Sequence, residues 1–218
     1  GRGIRLGLRA GLGFRPRLGT GLRLGVRTGR SEVTASASAR VVHRLTELGQ
    51  TVACGESLTA GLVAATIADT PGASVVLVGG VVAYAAEVKV ELLGVPADLI
   101  AEAGTVDARV AVAMADGARV RLGATWGVST TGVAGPGPAE GKPAGTVHVA
   151  VAGPRGTQTR ALRLNGDRAQ IRVATVDRAL ELLAEQLDAP VETSDARADL
   201  RGTVGETPGP ATARRRTT

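Results

Sequence analysis

Aromatic residues are almost absent from this chain: Phe14, Tyr84 and Trp126 are the whole set among 218 residues. Without large rings, Val, Leu, Ile and Ala must build the core, which suits close packing of helices on a sheet. Cysteine is nearly absent too. The single Cys54 excludes an intramolecular disulfide and a multi-cysteine zinc site, and it fits a reducing compartment, so a cytoplasmic location is expected. No carboxylate and histidine cluster has metal-ligand spacing, so neither a metal nor a cofactor is expected. No apolar run is long enough to span a bilayer. The longest candidate, Ala73 to Ala86, is broken by Gly79 and Gly80. Residues 1–30 contain eight arginines and no acid, and those arginines interrupt every stretch that could serve as a secretory signal.

The net charge of +6 is therefore unevenly placed. The two ends of the chain carry about +9, leaving about −3 for residues 31–190. A mildly acidic central part argues against a nucleic-acid partner acting through the domain. Residues 1–31 read as a basic disordered arm or an over-extended translation start. Residues 32–189 read as one folded domain, and residues 190–218, polar and rich in Pro, Thr and Arg, as a disordered tail.

Within the domain, Val41, Val42, Leu45 and Leu48 recur at helical spacing, and Gly49 ends that helix. Thr51 to Cys54 reads as a buried strand, followed by a helix carrying Leu62, Val63 and Ile67. Val75–Val78 and Val81–Tyr84 look like two short strands. Ala86 to Leu93 is helical, and Pro96 can start another helix. Asp107 caps a helix whose inner stripe is Ala111, Met114, Ala115, Ala118 and Leu122. Trp126 to Thr130 is a strand, and Thr146–Ala152 with Thr157–Leu164 forms a hairpin. The last helix starts near Asp167, with the stripe Val173, Val176, Leu180, Leu183 and Leu187. Helices alternating with strands, then a late hairpin, predict a single three-layer α/β/α domain with a mixed β-sheet.

Four segments could carry chemistry. In Gly55-Glu56-Ser57-Leu58-Thr59-Ala60-Gly61, a strand passes through small residues into a helix. A hydroxyl there is either an ordinary N-cap or a group beside free N–H donors that hold an anion. In Tyr84-Ala85-Ala86-Glu87-Val88-Lys89, the lysine is either a solvated helix residue or a base to a serine, if burial keeps it neutral. Ser129 to Gly137, continuing to Lys142 and Thr146, puts hydroxyls before a glycine-rich loop. That is either a plain surface loop or a close approach to a ligand, and it matches neither the Walker A nor the GxGxxG spacing. In Asn165-Gly166-Asp167-Arg168, Asp167 can cap the final helix and Arg168 can meet a phosphate. His43 and His148 signal no Ser–His–acid triad, and Cys54 reads as a small buried residue.

Taken in order over residues 33–188, these blocks resemble the CinA C-terminal family. The resemblance rests on Glu56 to Gly61, Pro71-Gly72-Ala73-Ser74, Gly79 to Tyr84, Glu87 with Lys89, Leu92 to Val95, Ser129 to Pro136, Lys142 to Val147 and Gly166 to Arg168. That family includes stand-alone nicotinamide-nucleotide amidases with a serine nucleophile and no metal. The resemblance implies Ser57 as nucleophile, Tyr84 and Lys89 as its assistants, and Thr131 as a further catalytic hydroxyl. It implies Glu56, Thr59, Gly61, Gly132, Gly135, Gly137 and Arg168 as substrate-binding residues, a pyridine nucleotide as substrate, and a homodimer. Ala60 departs from the family's first glycine, and Ala85 and Ala86 from its polar pair. Those departures leave open a non-catalytic nucleotide-binding protein that keeps the pocket.

Overall fold

The computed structural model describes residues 36–190. The readings for residues 1–31 and for the tail beyond residue 190 lie outside them. Helix α1 (Ala37–Leu48) begins where the Ser36 hydroxyl accepts the Ala39 N–H, and ends at Gly49, whose φ of 61° is left-handed. Strand β1 (Val52–Glu56) follows, then α2 (Leu62–Ala68), a 3-10 turn at Ala73–Val75, and β2 (Leu77–Val82). Helices α3 (Ala86–Leu93), α4 (Ala97–Ala103) and α5 (Ala108–Arg121) lead to β3 (Trp126–Gly132). The hairpin β4 (Thr146–Gly153) and β5 (Gly156–Arg163) precedes α6 (Arg168–Asp188).

The five strands form one mixed sheet in the order β2-β1-β3-β4-β5. β1 is parallel to both β2 and β3, while β4 and β5 run antiparallel. Val41, Leu45, Val63, Ile67, Leu180 and Leu183, from α1, α2 and α6, bury one face of the sheet. Leu93, Val110, Met114 and Ala118, from α3 and α5, build the core on the other. This is the expected three-layer domain. The small-residue core matters most between α5 and β3: a Cβ on Gly127 would collide with the Ala115 carbonyl. Trp126, at the start of β3, lies against Gly153. Its ring nitrogen donates to Gln50 Oε1 at 2.7 Å, and the Arg155 guanidinium is 5.8 Å from the ring centre.

Two expectations need correction. The two short strands around Gly79-Gly80 are one strand, because pairing with β1 runs on from Leu77 to Val82 through a register shift at Val78, and Gly80 sits close against Ala64 of α2 and Cys54 of β1. On α6, Val173 is exposed and Ile171 is buried, so the inner stripe begins one half-turn earlier than the valine spacing indicated. No helix among the described residues is long and apolar enough to cross a membrane.

Candidate active site

From β1 the chain goes through α2 to β2 on one side. It then returns across β1 through α3, α4 and α5 to β3 on the other. The two crossovers start at the carboxyl ends of β1 and β2, run to opposite sides of β1 and lie on opposite faces, which opens a cleft at that end. A cavity of about 370 Å³ lies there. Ser57, Leu58, Tyr84, Gly132, Gly135, Gly137, Glu140 and Arg168 are among the residues that line it.

Ser57 is the first residue past β1. Its N–H donates to the Thr130 carbonyl at 3.0 Å, which anchors the turn to β3. Its Oγ lies 3.0 Å from Lys89 Nζ. Lys89 reaches it from the second turn of α3 and is fully buried. The other two neighbours of Nζ are backbone carbonyls, Ala83 at 2.8 Å and Tyr84 at 3.0 Å. Desolvation drives the lysine pKa down to about 8, against the opposing charges of Glu140 and Glu87. Two N–H bonds spent on carbonyls leave the third position of the amine directed at the hydroxyl. A neutral lysine in this arrangement holds its lone pair towards the Ser57 proton.

Tyr84 meets Lys89 through its backbone and not through its ring. Its backbone carbonyl holds Lys89, while its half-exposed phenol accepts from Arg168 Nη2 at 2.7 Å. Arg168, at the start of α6, also donates to the Gly135 carbonyl at 2.8 Å, so it joins the tyrosine to the glycine-rich loop. The Asp167 and Gln170 capping box fixes the helix end that carries it.

Four expected site residues are frame rather than lining. The Glu56 carboxylate accepts the N–H groups of Gly61, Val63 and Ala64 at 2.9, 3.0 and 2.9 Å. It therefore occupies the positive end of α2, and those donors, Gly61 included, are not free for a ligand. Ser57 is not the cap of α2; Gly61 holds that position. Thr59 is buried, with its hydroxyl 2.7 Å from that of Thr130. Thr131 gives its proton to the Thr105 carbonyl at 2.6 Å, tying the end of β3 to the turn between α4 and α5. Ala60 is exposed, and its substitution for glycine falls on the backbone, where its φ is 51°.

The rest of the chemistry is quiet. Burial, then the Glu56 charge, pushes the Cys54 thiol up, so it stays protonated. His148 pairs with Thr131 across the sheet, and neither histidine hydrogen-bonds Ser57 or Lys89 among the described residues. No group of three His, Cys, Asp or Glu side chains there could hold a metal.

Sequence reasoning missed two residues. Arg172, one turn after Arg168, donates to the Leu58 carbonyl at 2.9 Å and the Thr59 carbonyl at 2.7 Å, clamping the turn that presents Ser57. Its i, i+4 spacing from Arg168 was the available signal. Glu140 stands on the cavity wall with no sequence signal at all.

Comparison with known proteins agrees with this architecture. The CinA C-terminal domain family matches residues 34–187. A CinA-like protein of Frankia casuarinae is 52% identical over 147 residues, covering 67% of this chain and 34% of that protein. One from Anaeromyxobacter dehalogenans is 54% identical over 144 residues, covering 66% of this chain and 35% of that protein. The chain thus spans about a third of the length of these curated relatives. Among solved structures, the competence/damage inducible protein CihA of Agrobacterium tumefaciens aligns with a TM-score of 0.67 at 36% identity, covering 70% of this chain and 94% of that one. A CinA superfamily protein of Klebsiella pneumoniae aligns with a TM-score of 0.67 at 30% identity, covering 69% and 95%. With its fold and its motifs both aligned, the chain belongs to the CinA C-terminal domain family.

Proposed function

We propose that this domain is an amidohydrolase that converts nicotinamide mononucleotide to nicotinic acid mononucleotide and ammonia through Ser57. The observation that carries the reading is the buried Lys89 amine, 3.0 Å from Ser57 Oγ and, among the described residues, otherwise bonded only to carbonyls. A lysine held for structure has no need of a hydroxyl aimed into a cavity.

In the proposed reaction the Ser57 proton passes to neutral Lys89 as Oγ attacks the carboxamide carbon. The carbonyl oxygen becomes an oxyanion. Glu56 already fills the donors of α2, so the oxyanion falls to the N–H of Leu58, which follows Ser57 and has no hydrogen-bond partner among the described residues. Lys89 returns the proton to the leaving nitrogen, and ammonia departs. Water then adds to the acyl-enzyme, with Lys89 again taking a proton, and releases the carboxylate product and free Ser57. Arg168, fixed by Tyr84 and Gly135, and the amides of the glycine-rich loop would hold the phosphate.

The test is ammonia release from nicotinamide mononucleotide by the purified chain. Ser57→Ala and Lys89→Ala should each abolish it while leaving a folded protein. Normal turnover by either variant would reject its assigned role. Binding of the nucleotide without ammonia release by the unmodified chain would leave a nucleotide-binding protein.

A further inference from the structure

Among the described residues, two charged side chains line the cavity, and the reaction above uses only Arg168. The other is Glu140, on a different wall. Arg168 is tied to Tyr84 and the loop carbonyl of Gly135, whereas Glu140 is tied to the turn between α4 and α5. Thr105 Oγ1 donates to Glu140 Oε1 at 2.6 Å, and the Val106 N–H donates to Oε2 at 3.1 Å. Gly104 makes room: a Cβ there would collide with Glu140 Oε2. Desolvation pushes the Glu140 carboxyl up, but the hydrogen bonds from Thr105 and Val106 and the Lys142 charge outweigh it and hold the group below its usual range. It is ionised at neutral pH. Lys142, 3.9 Å away, is too distant for a hydrogen bond to it and donates instead to the Ala103 carbonyl.

This placement is costly in two ways. Glu140 has a φ of 50°, a left-handed conformation that disfavours any residue with a Cβ. Its charge also opposes the loss of a proton from Lys89, the step the base must make. A simple latch between loop and turn needs neither a strained glutamate nor an anion whose field reaches the base. A bound cation would cancel the second cost, because it offsets the field of the carboxylate at Lys89.

We infer that Glu140 is a specificity residue, which selects ligands whose carboxamide sits on a permanently cationic ring, such as an N-alkylated pyridinium, over the same ligand with an uncharged ring. This rests on the amidase reading for the identity of the ring. With Arg168 facing the phosphate, the cavity then carries opposite charges matched to the two ends of a zwitterionic nucleotide.

The test is calorimetry on the Ser57→Ala chain with two ligands: nicotinamide mononucleotide, and its 1,4-dihydro form, which keeps the phosphate, ribose and carboxamide but loses the ring charge. Adding Glu140→Gln, which keeps the shape and an acceptor oxygen, should weaken the cationic ligand about tenfold and the neutral one less than about twofold. The ratio of the two constants does not depend on how much of the protein is folded. Thr105→Val, which loosens the latch but keeps the charge, should leave that ratio unchanged. Equal weakening of both ligands by Glu140→Gln, or no change in either, would overturn the inference in favour of a latch alone. The expected shift in ratio with no ammonia released by the unmodified chain would sink the amidase reading and keep this one. No binding of the cationic nucleotide would overturn both.

Discussion

The last residue of β1 and the helix after β2 each bury a charged side chain at the same end of the sheet, and they use it in opposite ways. Glu56 is 1% exposed, and three backbone N–H groups of one helix start saturate its carboxylate. Lys89 is 0% exposed, and its amine has two carbonyls and a hydroxyl. A buried charge that the backbone satisfies completely is architecture, because nothing remains for a ligand to compete for. A buried amine whose last neighbour is a hydroxyl at a cavity can exchange a proton with it. The pair shows that burial and charge do not mark a reactive group; the chemistry of the last partner does.

That contrast can be broken in three places. The largest effect belongs to Lys89. Lys89→Met keeps the volume and removes the amine, so ammonia release should fall by about 10³-fold or more while the circular dichroism spectrum stays the same. In the proposed reaction the neutral amine is the active form, and it accumulates above a pKa of about 8. The rate should therefore rise with pH through that value, and a flat profile across it would remove Lys89 as the base. Glu56 comes next. Glu56→Gln turns an amide N–H towards helix donors that expect an oxygen, and should cost about 3 kcal/mol in urea unfolding. A loss below about 1 kcal/mol would mean the carboxylate is not the anchor of α2. The smallest effect is at Ala60, between the two buried groups in sequence. Relief of its left-handed φ by Ala60→Gly should stabilise the chain by about 1 kcal/mol, with amidase activity within about twofold of the starting chain. A higher activity would place that methyl in the substrate's path, and a lower one would make it a contact the substrate uses.

How much of this was legible in the sequence depended on the range of the interaction. Asp107 and Asp167 cap α5 and α6 as read, because a cap is set by three or four consecutive residues. The order of helices and strands, and so the layered fold, followed from periodicity. Glu56 was not legible as a cap, since it acts from the end of a strand on N–H groups five to eight residues later, outside any capping-box spacing. Tyr84 was picked out, but no sequence distinguishes its carbonyl, which holds Lys89, from its phenol, which holds Arg168. Val173 fitted the helical period and still faces solvent, because the packing of α6 on the sheet, rather than spacing alone, selects Ile171. Glu140 depends on a loop geometry that only the assembled α4–α5 turn creates.

The lone tryptophan has a practical consequence. Trp126 begins β3 and Gly132 ends it at the cavity, a strand length of roughly 20 Å. Its indole is packed against Gly153 and bonded to Gln50, so its fluorescence reports the integrity of the opposite end of the sheet. Emission from this chain should follow unfolding while remaining indifferent to whether a nucleotide is bound, an optical channel for the fold that occupancy leaves untouched.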